Sequence, residues 1–202
     1  MKNHRTSQPI QLQPALRADF RVWLSRWGNK MNLAKRVLIK SKIFGDFTLR
    51  SGKRSDAYFD KYRFESDPAL LKDIASEMKK KIPAETEILA GLEMGGIPVV
   101  TAISLQSGHE CAFIRKEAKT YGTCKYAEGA DLEGKSILLV EDVVSSGGAI
   151  IDAAQKLRAD GINVERALCV IDRETGGYEK LKENGIELLS LFKQSDLDEE
   201  EK

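Results

Sequence analysis

From residue 32 onward the chain switches repeatedly between two hydrophobic periods. Leu33, Val37 and Leu38 fall at helical spacing, and a strand-turn-strand pattern crosses 47–60 with Ser51 and Gly52 at its turn. Asp67 and Pro68 then open a helix that runs through Leu71, Ile74, Ala75 and Met78, with Asp67 as N-cap and Pro68 at the first helical position. Apolar runs at 87–91, 110–114, 136–140, 164–171 and 186–191 read as strands, and helical patterns at 98–105, 148–160 and 178–184 follow three of them. Strand and helix in alternation predict an α/β fold, a mainly parallel twisted sheet flanked by helices. A polar, glycine-bearing stretch at 115–134 interrupts the order, and the acidic tail 196–202 reads as exposed.

The first thirty residues are of a different kind. They hold Lys2, Arg5, Arg17, Arg21, Arg26 and Lys30 against one acid, Asp19, with an apolar-periodic piece at Leu16, Phe20, Trp23, Leu24 and Trp27. An amphipathic helix packed on the domain, an organelle-targeting signal and a segment upstream of a second start at Met31 all fit this pattern. The remainder, 31–195, is the size of one domain.

Composition narrows the chemistry. The chain has 202 residues, 42% hydrophobic and 31% charged, with a formal net charge of +1, so no global field draws nucleic acid or an anionic membrane. Cys111, Cys124 and Cys169 have no C-x-x-C spacing, and His4 and His109 are the only histidines, which excludes a zinc cluster and a histidine-dependent triad. No apolar run reaches the roughly 18 residues of a membrane span, so a cytoplasmic protein is expected.

One motif is misleading. Residues 129–136 fit the phosphate-loop expression G-x-x-x-x-G-K-S letter for letter, yet a phosphate loop follows a strand and opens a helix. Here Lys135 and Ser136 precede the apolar run 137–140, and Asp131 and Glu133 would lie against a polyphosphate. Gly134 and Lys135 instead read as a turn entering a strand.

The informative segment is 137–150, where an apolar strand ends in Glu141 and Asp142, followed by Val143, Val144, Ser145, Ser146, Gly147, Gly148 and Ala149. Gly147 and Gly148 permit close backbone approach, the helix that follows presents free amides, and the two serines add hydroxyl donors, so this turn suits a phosphate monoester. Glu141 and Asp142 lie about one sugar length away. Carboxylates accept hydrogen bonds from a ribose cis-diol and favour positive charge developing on the ring.

The ordered string Val140–Gly148 resembles the motif by which type I phosphoribosyltransferases bind 5-phosphoribosyl 1-diphosphate (PRPP). That resemblance implies a sheet-based core at about 67–195 under a small hood at about 31–66, with PRPP as donor and Mg2+ carried by PRPP rather than by protein ligands. Three further segments are similar to the orotate-specific branch. Arg115, Lys116, Lys119, Tyr121 and Gly122 resemble its mobile catalytic loop, which in the family acts in the neighbouring subunit's site; this implies a homodimer in which loop 115–131 works in trans, with Lys119 as the chief catalytic cation. Arg50 and Tyr58 resemble its N-terminal substrate segment, and Arg173, at a strand end, matches the arginine that meets the carboxylate of orotate, with Ser145 nearby. Residues 91–98 occupy the place of its pyrophosphate loop.

Two positions depart from the family pattern. Tyr121 stands where many members have histidine, and Gly95 where some have lysine beside pyrophosphate. A phenol, with an ordinary pKa near 10, does not titrate near neutrality, which places a proton role for this loop in doubt. The same fold acting on another nucleobase, or serving as a PRPP-sensing regulator, therefore remains as an alternative expectation.

Overall fold

The computed structural model describes residues 32–48, 52–118 and 126–201. The segment 1–30, Arg50 and Ser51 of the first turn, and Lys119, Tyr121 and Gly122 of the loop lie outside the described residues.

Helix α1 (Leu33–Ser41) leads into an antiparallel hairpin, β1 (Lys42–Thr48) and β2 (Arg54–Phe59). The chain returns from the hairpin to α1 through Asp60, whose amide donates to Ser41 O at 2.9 Å. A one-turn helix follows, α2 (Tyr62–Glu65), absent from the periodicity because four residues carry no period. Its Phe64 is fully buried and fixes the turn on the core. Helix α3 (Pro68–Lys79) begins as expected, the Asp67 side chain accepting from the Leu70 amide at 3.1 Å.

The core is a six-stranded sheet in the order β5-β4-β3-β6-β7-β8: β3 (Ile88–Leu92), β4 (Glu110–Ile114), β5 (Ala127–Gly129), β6 (Ile137–Val144), β7 (Val164–Asp172) and β8 (Glu187–Lys193). All neighbours are parallel except the short edge strand β5. Helices α4 (Gly96–Ser107), α5 (Gly148–Ala159) and α6 (Gly177–Glu183) supply the crossovers. Apolar residues cover both faces: Leu89, Leu138, Val140, Leu168 and Val170 pack with α1, α3 and α4, while Ala90, Leu139, Ala167 and Cys169 pack with α5 and α6. From β3 the chain moves outward to β4, and from β6 outward the other way to β7 and β8. The reversal between β3 and β6 opens a crevice at their carboxyl ends, where ligands bind in open α/β sheets.

Two expectations change. Strand β6 runs to Val144 rather than 140, because Glu141, Val143 and Val144 still pair with Cys169, Ile171 and Asp172 of β7; both acids are thus strand residues. The acidic tail is not frayed. It forms α7 (Gln194–Glu199), Leu197 is fully buried in the hood-side core, and Glu200 and Glu201 meet Lys35 and Lys42 at 3.7 and 2.8 Å. A single apolar residue among acids gave no periodic signal, and the charges that suggested solvent find their partners on α1 and β1.

Candidate active site

Along β6, Leu138 and Val140 face the side covered by α3 and α4, and the period-two alternation sends Asp142 to that same face. There the hood reaches it. Lys61 Nζ lies 2.6 Å from Asp142 Oδ2, an ion pair whose acid has no exposed side-chain surface and whose lysine is one-third exposed. Glu65, four residues after Lys61 on the same turn, is buried beside Asp142. Glu141 Oε1 accepts from the Asp142 amide at 3.0 Å.

Three buried carboxyl groups therefore meet one ammonium that is one-third exposed, and their charges divide unequally. Burial, then the shared hydrogen bond with Asp142, pushes Glu65 up to about 9. The same two causes raise Glu141 well above the usual carboxylate range. Burial acts against an ionised Asp142 too, but hydrogen bonds from Glu141, Glu65 and Lys61 outweigh it and hold its carboxyl below the usual value. Asp142 therefore favours its charged form, and the two glutamic acids favour their protonated forms.

Beyond Val144 the chain turns through the exposed Ser145 and Ser146 to Gly147, whose φ of +72° caps α5. That left-handed conformation favours glycine, and no side chain caps the helix, so the first amides of α5 are left without a side-chain acceptor beside the exposed serine hydroxyls. Arg173 follows β7 and is tied to the same turn, its amide donating to Val144 O at 2.8 Å. Its guanidinium lies 4.8 Å from the Phe59 ring centroid and donates to Gln194 Oε1 at 2.6 Å. A cavity of about 290 Å³ has Tyr58, Phe59, Arg173 and Gln194 among its lining residues. The entry to the 115–131 loop is pinned at three points. Arg115 N donates to Tyr126 O at 2.7 Å, Lys116 N to Glu93 Oε1 at 2.6 Å, and Lys156 Nζ of α5 to Lys116 O at 2.6 Å.

A family model described as the phosphoribosyl transferase domain matches residues 63–189. The orotate phosphoribosyltransferase of a Nocardioides species is 45% identical over 157 residues, 78% of this chain and 88% of that protein. The chain belongs to the orotate phosphoribosyltransferase family. Among solved structures of the family, the Mycobacterium tuberculosis orotate phosphoribosyltransferase in complex with Fe(III) dicitrate superposes with a TM-score of 0.75 at 30% identity, over 82% of this chain and 96% of that one. The same enzyme in complex with PRPP gives a TM-score of 0.71 at 27% identity, again over 82% and 96%.

Glu141, Asp142, Val143, Val144, Ser145, Ser146, Gly147, Gly148 and Ala149 form one strand end and turn, and Tyr58 and Arg173 share one cavity. Arg115 and Lys116 stand at the mouth of the loop, while the described residues do not include Lys119, Tyr121 or Arg50. Lys61 and Glu65 escaped the sequence reading. Their only signal is a Lys-to-Glu spacing of four, which on most helices marks a solvated pair. The departure at Gly95 has a steric basis, since a Cβ there would lie 1.7 Å from Asp142 Oδ2. The phosphate-loop match at 129–136 is a turn as expected, with Gly134 at φ +67° and Lys135 paired to Glu87 at 3.0 Å.

Proposed function

We propose that this chain transfers the 5-phosphoribosyl group of PRPP to orotate, giving orotidine 5'-monophosphate and pyrophosphate in de novo pyrimidine biosynthesis. The observation that carries the reading is the continuity of β6 into α5: one ionised carboxylate, Asp142, is followed within five residues by a glycine-capped helix N-terminus, at the sheet's reversal point. The PRPP complex of the mycobacterial relative supports PRPP as the donor.

In this mechanism the turn 145–149 holds the 5-phosphate through amides and serine hydroxyls. Asp142 accepts from the ribose hydroxyls, and Glu141, protonated, donates to the same region. As the bond from C1 to pyrophosphate lengthens, positive charge spreads over C1 and the ring oxygen, and the Asp142 carboxylate favours that distribution. Arg115, Lys116 and Lys119 neutralise the departing pyrophosphate, and a ring nitrogen of orotate supplies the electron pair that closes on C1 as the C1–O bond breaks, its proton passing to the pyrophosphate. Tyr58 packs on the base, while Arg173, with Arg50, meets its carboxylate in a bidentate geometry that a purine would leave unused. Mg2+ enters as part of the PRPP substrate, carried by its pyrophosphate and ribose hydroxyls. Loop 115–131 acts in the neighbouring site of a homodimer, and the enzyme works in the cytoplasm.

The test is the loss of orotate absorbance in the presence of PRPP and Mg2+, beside parallel incubations with uracil, adenine and hypoxanthine. Orotate alone is consumed, and Lys119→Ala lowers the rate by about 10²–10³, the scale of one electrostatic contact made in the transition state. Turnover of adenine or hypoxanthine in place of orotate contradicts the reading.

A further inference from the structure

Lys61 and Glu65 stand on one turn of the hood, and both reach Asp142 on the sheet. Their position is not that of a surface ion pair. Phe64, between them in sequence, is fully buried, Glu65 is 7% exposed, and the carboxylate they address has no exposed surface. Three ionised carboxylates beside one ammonium would leave two uncompensated charges out of water, so the cluster settles with protons on the two glutamic acids and charge on Asp142. Lys61 is the cation that meets this carboxylate directly, at 2.6 Å.

We propose that Lys61 is a positioning residue for PRPP recognition, holding the Asp142 carboxyl in place for the ribose hydroxyls through its 2.6 Å ion pair, with Glu65 buried against the same carboxyl. The proposal rests on the reading of the site given above. It makes the hood an active part of donor recognition. Without the ammonium, Asp142 takes up a proton, loses an acceptor position and turns toward its carboxyl neighbours. Glu65 acts through its hydrogen and not through charge, so an amide at this position preserves its contribution.

The experiment compares wild type, Lys61→Met, Lys61→Arg, Glu65→Gln and Glu65→Ala in steady-state kinetics with PRPP varied, across pH 5–9, with PRPP titration calorimetry on the same proteins. Lys61→Met raises KM for PRPP about 10- to 100-fold, the range of one charge-assisted hydrogen bond, while kcat changes less than about 3-fold. Its acid limb in kcat/KM moves to higher pH, and Lys61→Arg restores both quantities. Glu65→Gln weakens PRPP binding less than Glu65→Ala. An unchanged KM and acid limb in Lys61→Met overturns the proposal, as does a lowered melting temperature with no movement of either. So does Glu65→Gln as damaging as Glu65→Ala. A wild-type protein that binds PRPP more tightly than Lys61→Met, yet leaves orotate untouched, removes the orotate reading and leaves the role of Lys61 standing.

Discussion

Lys61 Nζ and Asp142 Oδ2, 2.6 Å apart, join the hood to the carboxyl end of β6 at the point where the sheet reverses direction. This contact sets an ammonium against the one acid of the three whose carboxyl is lowered. Asp142 is held below the usual carboxylate range and Glu141 well above it, so the two neighbours in sequence differ in chemistry. Asp142→Asn therefore lowers kcat/KM for PRPP by about 10², a loss of ~3 kcal/mol, whereas Glu141→Gln, which replaces a protonated acid by an amide donor, costs under about tenfold. Steady-state kinetics of the two variants check this order.

Glu65 ties the same cluster to the stability of the fold. Its carboxyl is pushed up to about 9 from an ordinary value of 4.5, so the folded chain keeps a proton that the unfolded chain releases. The resulting stability is fully present below pH 4.5 and is lost as pH rises toward about 9. Asp142, whose carboxyl is lowered, acts in the opposite sense only below its ordinary 3.8. The groups facing Glu65 are Asp142, Lys61 and Asp60. Between pH 6 and 9 the wild-type Tm falls more than that of Glu65→Gln, by at least about 3 °C, equivalent to ~1 kcal/mol for a chain of this size. Calorimetric melting at the two pH values reads the difference.

Gly95 explains one departure from the family pattern. Its missing Cβ is what leaves room for Asp142, because the carboxyl that would have to move is locked between Lys61, Glu65 and Glu141. Gly95→Ala lowers stability by about 1–3 kcal/mol through overpacking and reduces kcat/KM for PRPP more than tenfold. Denaturant unfolding and kinetics measure the two effects separately.

At the other end of the substrate, Arg173 is held by Phe59 and Gln194 beside Tyr58. Arg173→Lys keeps the charge but loses the planar fork, and it raises KM for orotate about tenfold while leaving KM for PRPP within about 3-fold. Parallel titrations of the two substrates distinguish these parameters.

The carboxyl-terminal helix is part of the core. Leu197 is fully buried and packs in the hood-side cluster, so Leu197→Ala destabilises the chain by about 2–4 kcal/mol in equilibrium unfolding.

What the sequence reveals depends on how local the signal is. Strands β3, β6 and β7 are legible because both faces are buried and the apolar runs are nearly continuous, and the turn 145–149 is legible because serine, glycine and helix N-terminus follow one another in the chain. Lys61 and Glu65 are not legible in this way. Their partner is about eighty positions away in the chain, and only the folded hood turns an ordinary helix pair toward a buried acid. Leu197 was hidden for a related reason: one apolar residue inside an acidic tail has no period, and its burial depends on α1 and β1 offering lysines to the acids around it.

Phosphorus NMR of the purified protein mixed with PRPP, Mg2+ and orotate tests the central claim most directly. The account predicts loss of the PRPP resonances with stoichiometric appearance of pyrophosphate and one new phosphate monoester, dependent on orotate and not produced by adenine. PRPP that persists in the presence of orotate, or is consumed only when another base is supplied, contradicts it.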